Sequence, residues 1–304
     1  MNLNKLALCG AVAGSIAAMG CGGPSGGTDS GPSGSDSPAM APVSQTYIVG
    51  TITIPAAPTG TAMDHAPGFN LDEKVSDGSG TATCEDFQPD YINDSGETGV
   101  DNQLVGSLLG LLSSFGDFDV QMEVDGQISS GSLILAMQVN DINSFTNDSS
   151  VTLDLFLVDA ADCATSPCML PAAGVTADQH WVQRAGMPLA SGLAATIEDG
   201  VLSGGPLDLP LSFTASGTTI NLVIRHARVG GDISADGLAN GNIGGELRIE
   251  DILMIAEGIM PGISDTARPI LEDNADLSPT TADPTVCESI SAGIAFDAVP
   301  GTID

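Results

Sequence analysis

Nine acidic side chains crowd the 32 residues from Asn70 to Asp101: Asp72, Glu73, Asp77, Glu85, Asp86, Asp90, Asp94, Glu97 and Asp101. Calcium takes six to eight oxygen ligands from carboxylates, carbonyls and amide side chains, and this stretch has many of each. Gly78, Gly80, Gly96 and Gly99 would let its backbone turn tightly. The densest part, Asp90-Tyr91-Ile92-Asn93-Asp94-Ser95-Gly96-Glu97, lacks the alternate-position ligands of an EF-hand loop. Two readings stay open. The stretch is a solvated acidic loop, or Asp86, Asp90, Asp94, Glu97 and Asp101 supply a calcium site.

Nucleophilic catalysis finds little support. Gly23-Pro24-Ser25-Gly26-Gly27 spells a nucleophile-elbow pattern. It lies in a Gly/Pro/Ser run without the strand–turn–helix context that exposes such a serine. His65, His180 and His226 share no metal-binding spacing. His226 stands between Arg225 and Arg228, where pairing with acidic neighbours explains it better than base catalysis. Arg225, His226, Arg228 and Arg248 hold most of the scarce positive charge. Internal ion pairing accounts for them better than an anion site does.

Met1 to Lys5 carry one side-chain charge, at Lys5, and an uncharged apolar run, Leu6 to Gly20, follows. That run is too short to span a bilayer, which needs about 20 residues, but has the length of a signal peptide core. It ends Ala18-Met19-Gly20-Cys21, which resembles the lipobox of bacterial lipoproteins; the usual leucine three residues before the cut is Ala18 here. The resemblance implies removal of residues 1–20 and lipid attachment at Cys21, with palmitate among the acyl chains and a membrane as partner. Residues 21–44 read as a tether, since Gly22 to Pro38 contains only Gly, Pro, Ser, Thr and Asp and has almost no apolar surface to bury. Gly22 is not the Asp that resembles an inner-membrane retention signal, so the outer membrane is expected.

Four cysteines remain after Cys9 and Cys21. An even number in an exported chain implies disulfides. Cys163–Cys168 would close a short loop turned by Pro167, and Cys84–Cys287 would tie the start of the domain to its end. With 39 acidic and 7 basic residues the formal charge is -32, a field that repels nucleic acid and keeps the protein soluble.

The elements that must position these groups are mostly strands. Phe118, Val120, Met122 and Val124 alternate with polar residues, and Asp125-Gly126 follows as a hairpin signal. Leu133 to Val139, Val151 to Val158, Leu207 to Phe213, Ile220 to Val229 and Ile290 to Phe296 read as further strands. Pro210 cannot donate to a ladder and implies an edge or a bulge. Asp199-Gly200, Asp236-Gly237 and Asn240-Gly241 read as turns. Two helices are expected: Asn102 to Phe115, capped by Asp101, and Glu250 to Met260, stopped by Pro261-Gly262. The expected fold is mainly β, an antiparallel sandwich or a strongly curved sheet with one or two packed helices, in a single domain over residues 45–304 that includes the acidic loop 68–101.

Three stretches stand out together: Gly68 to Leu104 around Cys84; Ile233-Ser234-Ala235-Asp236-Gly237 with Asn240 to Gly245; and Cys287 to Pro300. They resemble a family of uncharacterised lipoproteins from myxobacteria and related bacteria. The resemblance covers about a third of the chain and implies an exported, disulfide-linked domain without assigned catalytic residues. The resulting expectation is a lipid-anchored envelope or surface protein, a non-enzymatic structural or binding domain with calcium as a candidate stabiliser. An apolar-ligand carrier and a secreted hydrolase are the rivals.

Overall fold

A computed structural model describes residues 41–55, 65–104, 119–163, 166–177, 179–186, 188–215 and 218–304. The elements run β1 (Val43–Thr53), β2 (Tyr91–Ile92), β3 (Thr98–Val100), α1 (Val120–Ser129), β4 (Leu135–Ile142), β5 (Asp148–Ala160), β6 (His180–Gln183), β7 (Ala190–Glu198), β8 (Val201–Ala215), β9 (Thr218–Ser234), β10 (Gly237–Arg248), α2 (Ile249–Ile259), α3 (Ser264–Asp273), β11 (Leu277–Pro279) and β12 (Cys287–Ile303).

Eight strands close on themselves in the order β1-β4-β5-β7-β8-β9-β10-β12, with β12 returning to β1. Every pairing round this ring is antiparallel. The fold is therefore an eight-stranded antiparallel barrel. The curved sheet is present, and the sandwich is replaced by full closure, which removes the sheet edges a sandwich would leave open. Short β2 and β3 form a separate ribbon in the acidic loop. β6 pairs with the ends of β5 and β12.

The register shows which face points inward. Tyr47 lies opposite Met137, and Met137 opposite Leu155. Ala195, Gly204, Val229, Ile243 and Ile294 then follow one another across β7, β8, β9, β10 and β12. Side chains on this face leave almost no accessible surface; Leu153, Leu155, Leu202, Leu209 and Val229 are all 0% exposed. A side chain that no water-sized probe can touch does not line a cavity, so the barrel is packed with side chains where these residues stand. Exposed strand positions include Asp208, Asn221, Asp232, Glu288 and Asp297. An apolar interior with a polar outer surface is the reverse of a membrane-spanning barrel, whose apolar band faces outward.

Residues 119–124, part of the stretch expected as a strand before an Asp125-Gly126 hairpin, instead form the N-cap and first half of α1. Asp119 caps it, accepting from the Met122 backbone N–H at 3.0 Å. Val120, Val124 and Ile128 also satisfy a four-residue helical spacing, and Met122, the residue that favoured alternation, is 69% exposed. Gln121 on this helix clips the end of β1, donating to Ile52 O and accepting from Ile54 N. The barrel also begins earlier than expected, since β1 starts at Val43 inside the stretch read as tether.

Asp199-Gly200 does form the β7–β8 turn, with positive φ at both residues, the backbone a two-residue hairpin requires. Asn240-Gly241 is no turn. It lies within β10 where the register shifts between Leu238 and Gly241, a bulge that accommodates the positive φ of Asn240. The expected second helix is α2, ended by Gly262 in a left-handed conformation. α3 was not foreseen, because Pro269 inside it reads as a breaker. The signal peptide, Cys21 and most of the tether, the Gly23–Gly27 motif, and residues 105–115 of the other expected helix lie outside the described residues.

Candidate functional site

The acidic loop is pressed onto the outer wall of the barrel across β9, β10 and β12. The wall there is made of glycine: Gly244 faces Gly293 across the β10–β12 ladder, and Gly230 lies on β9 beside them. A Cβ on Gly293 would stand 2.2 Å from Pro67 O, and one on Gly244 would stand 3.1 Å from the Phe69 ring. Only the missing side chains let Pro67, Gly68 and Phe69 lie this close. Phe69 fills the trough, and Arg228 places its guanidinium 4.9 Å from the ring centroid. The same Arg228 donates to Asn70 O at 3.1 Å.

Amide side chains satisfy the backbone groups this contact buries. Asn242 accepts from Gly68 N–H at 3.1 Å, and Asn93 donates to Gly68 O at 3.0 Å. Buried Asn102 donates to Pro67 O and to Gly293 O on the barrel strand, at 2.7 and 3.0 Å. The disulfide Cys84–Cys287 fastens the loop to the start of β12, with a Cα–Cα separation of 5.7 Å. Cys163 and Cys168 are likewise bonded to each other.

Within this interface lies a cluster of carboxyl groups. Asp101, 3% exposed, accepts from Leu71 N–H at 2.7 Å and more weakly from Asp72 N–H at 3.4 Å. Asp90 accepts from Ser76 N–H. Asp276, between α3 and β11, accepts from Ser291 N–H at 2.7 Å and from the Ser291 hydroxyl. That hydroxyl in turn accepts from Gln103 N–H at 2.9 Å. Burial is the main cause that raises all three acids, with neighbouring carboxylates adding to it. Asp90 is pushed up to about 6, Asp276 to about 7 and Asp101 to about 8.

Of the five residues considered for calcium, Asp90 lies within electrostatic range of both Asp86 and Asp101. Asp86 closes the helical turn at Cys84, accepting from Thr83 N–H and the Thr83 hydroxyl. Glu97 accepts from Asn70 N–H and Asn93 Nδ2 and lies 3.9 Å from Arg228. Asp94 is an exposed turn residue. Among the described residues, no three His, Cys, Asp or Glu side chains gather as a metal-holding group. The loop's charge is distributed through backbone capping, because short acidic side chains readily accept from nearby N–H groups in turns.

Sequence reasoning missed Asp276 and Ser291. The available signal is an acid flanked by the apolar Ala275 and Leu277, both of which are buried.

The remaining candidates are ion pairs. His226 Nδ1 lies 2.7 Å from Glu246 Oε1, and Ser278 donates to the other oxygen of that glutamate. Serine and histidine thus both address the carboxylate, whereas acyl transfer needs histidine between serine and acid. His180, on β6, lies 3.0 Å from Asp304. Arg225 pairs with Asp208 and Asp251, and Arg248 with Glu288.

A groove of about 680 Å³ lies beside the Cys84–Cys287 bond, bordered by Phe87, Val286, Arg248 and Arg268. Arg268 forms a two-pronged pair with Glu250, at 2.6 and 3.1 Å. The class defined by this architecture is a closed, side-chain-filled antiparallel barrel with a disulfide-fastened acidic loop on its wall. No family model, curated protein or solved structure matches the chain.

Proposed function

We propose that this chain is a lipid-anchored envelope protein of the bacterial outer membrane, a non-enzymatic domain held off the membrane by a Gly/Pro/Ser-rich tether. The carrying observation is the sequence Ala18-Met19-Gly20-Cys21 at the end of a short apolar run, followed by a stretch that cannot fold alone. The bonding of all four later cysteines in two pairs supports folding in an oxidising compartment. The packed barrel interior disfavours the carrier reading, because the buried leucines leave no room for a ligand among them. The hydrolase reading loses support because Ser278 and His226 flank Glu246 in the wrong order.

The groove beside Cys84–Cys287 favours a binding role over a purely structural one, since Phe87 and Val286 stay partly exposed there between charged residues. The test is fractionation of cells expressing the wild-type chain or Cys21→Ser. The wild type is expected in the detergent-extractable membrane fraction, and the variant in the soluble fraction. Equal partitioning of the two would overturn the proposal.

A further inference from the structure

We propose that the Cys163–Cys168 bond is a site of thiol–disulfide exchange, which a dithiol partner reduces in the folded protein to free the strap of residues 168–175 from α1 and β1.

The two disulfides stand in different surroundings. Cys84 and Cys287 are 1% and 5% exposed, so little of either is open to an attacking thiolate. Cys163 and Cys168 are half-buried, and their neighbours Ser166, Pro167 and Met169 are exposed, Met169 at 80%. Exchange requires the attacking sulfur to reach the bond, so access selects between the pairs. The chemistry balances with the dithiol as reductant. A thiolate of the partner attacks one sulfur of the pair; the S–S bond breaks, a mixed disulfide forms, and the other cysteine leaves as a thiolate that takes up a proton. The partner's second thiolate then attacks the mixed disulfide. The partner's own disulfide closes, and the remaining cysteine is freed and protonated. Two electrons have passed from the dithiol to the pair.

The pair joins two parts of the fold. Cys163 stands in the turn after β5, its N–H donating to Ala160 O at 3.1 Å. Cys168 begins a strap that passes the end of α1 and reaches β1. The Cys168 carbonyl lies against Gly131, where a Cβ would stand 1.9 Å from it. Only glycine, here at a φ of 78°, admits that approach. Leu170 N–H donates to Ser129 O at 2.9 Å, and Gly174 N–H to Pro171 O at 2.8 Å. Val175 then lies over Gly50 of β1. A cleft of about 370 Å³ runs between the strap and these elements, bordered by Ile128, Met169 and Leu170. Opening the disulfide removes the covalent hold at the start of the strap. The end of α1 stays fixed, because Arg184 donates to Gly131 O and Ser132 O at 2.6 and 2.8 Å and pairs with Asp159. Release is thus a local opening of residues 168–175 that widens the cleft while the barrel stays intact.

Limited reduction of the full chain tests the site, with dithiothreitol as the dithiol, iodoacetamide as the trap and peptide mass mapping as the readout. Cys163 and Cys168 are expected to be alkylated about tenfold faster than Cys84 and Cys287, or more. Equal rates, a faster Cys84–Cys287, or no reaction at either pair before the barrel unfolds would overturn the proposal. Hydrogen exchange then reads the release. In the reduced and alkylated protein the amides of Leu170 and Gly174 are expected to exchange about tenfold faster, with β4, β8 and the Leu133 amide unchanged. Cys163→Ser/Cys168→Ser, which carries no alkyl groups, is expected to do the same. Unchanged protection of Leu170 in either preparation overturns the release. Neither readout involves the anchor at Cys21, so this proposal and the lipid-anchor reading stand or fall separately.

Discussion

The guanidinium of Arg228 lies over the ring of Phe69, 4.9 Å from its centroid, so a β9 side chain caps the residue that plugs the acidic loop into the barrel wall. Phe69 is buried against Gly230 and Gly244. Truncation to Phe69→Ala is expected to lower unfolding stability by about 3–5 kcal/mol, the usual cost of emptying a buried aromatic site. Arg228→Met keeps most of the covering bulk and removes the cation. It is expected to cost about 1 kcal/mol plus the bond to Asn70 O. Urea unfolding of the two variants separates burial from charge.

Adding one methyl group to the trough should also destabilise, though less than removing Phe69 does. In Gly293→Ala the new Cβ meets Pro67 O and Asn102 Nδ2, both of which are fixed by hydrogen bonds. The expected loss is about 1–3 kcal/mol, the usual range for overpacking. The same change at Gly96, where a Cβ meets nothing within 4 Å, costs only backbone strain. Thermal denaturation of the pair checks the contrast.

The two disulfides should differ in what they contribute. Cys84 and Cys287 are 203 residues apart, whereas Cys163 and Cys168 are 5 apart. On the chain-entropy account, the stabilisation is about 5 kcal/mol for the long loop and about 2 kcal/mol for the short one. Cys84→Ser/Cys287→Ser and Cys163→Ser/Cys168→Ser, compared by denaturant unfolding without reductant, should rank in that order.

Asp276 gives a pH dependence of defined sign. Its folded value is raised by burial to about 7, from an ordinary 3.8. The folded state therefore holds a proton that the unfolded state has lost. Stability from this group is fully present below about pH 4 and fades as pH rises through 7. Asp276→Asn can still accept from Ser291 without ionising. It is expected to reduce the loss of stability between pH 5 and 8 and to change little at pH 4, as measured by melting temperature across that range.

Much of the barrel is legible in the sequence, because one buried face imposes an alternation that survives in β4, β5, β8, β9 and β12. Pro210 is accommodated as foreseen: it lies beyond the part of β8 paired with β7, near a register shift between Leu207 and Leu209. β10 escaped because its glycines and asparagines carry loop composition, and their purpose, a flat wall for the loop, is a tertiary fact. α1 was misread because Val120 and Val124 fit both periods. In the acidic loop, local composition revealed the charge but not its use. Nothing in the spacing of Asp86, Glu97 and Asp101 distinguishes a metal ligand from a cap for a nearby N–H. Asp276 joins the cluster from 175 residues away, so no window on the sequence could place it there.

The central claim is that the mature chain begins at an acylated cysteine, and intact-mass analysis of protein purified from membranes tests it most directly. The account predicts an N-terminal fragment starting at Cys21 with the mass of its diacylglyceryl group and two closed disulfides downstream. A mature chain that starts at any other residue, or one that starts at Cys21 with a bare thiol, would contradict it.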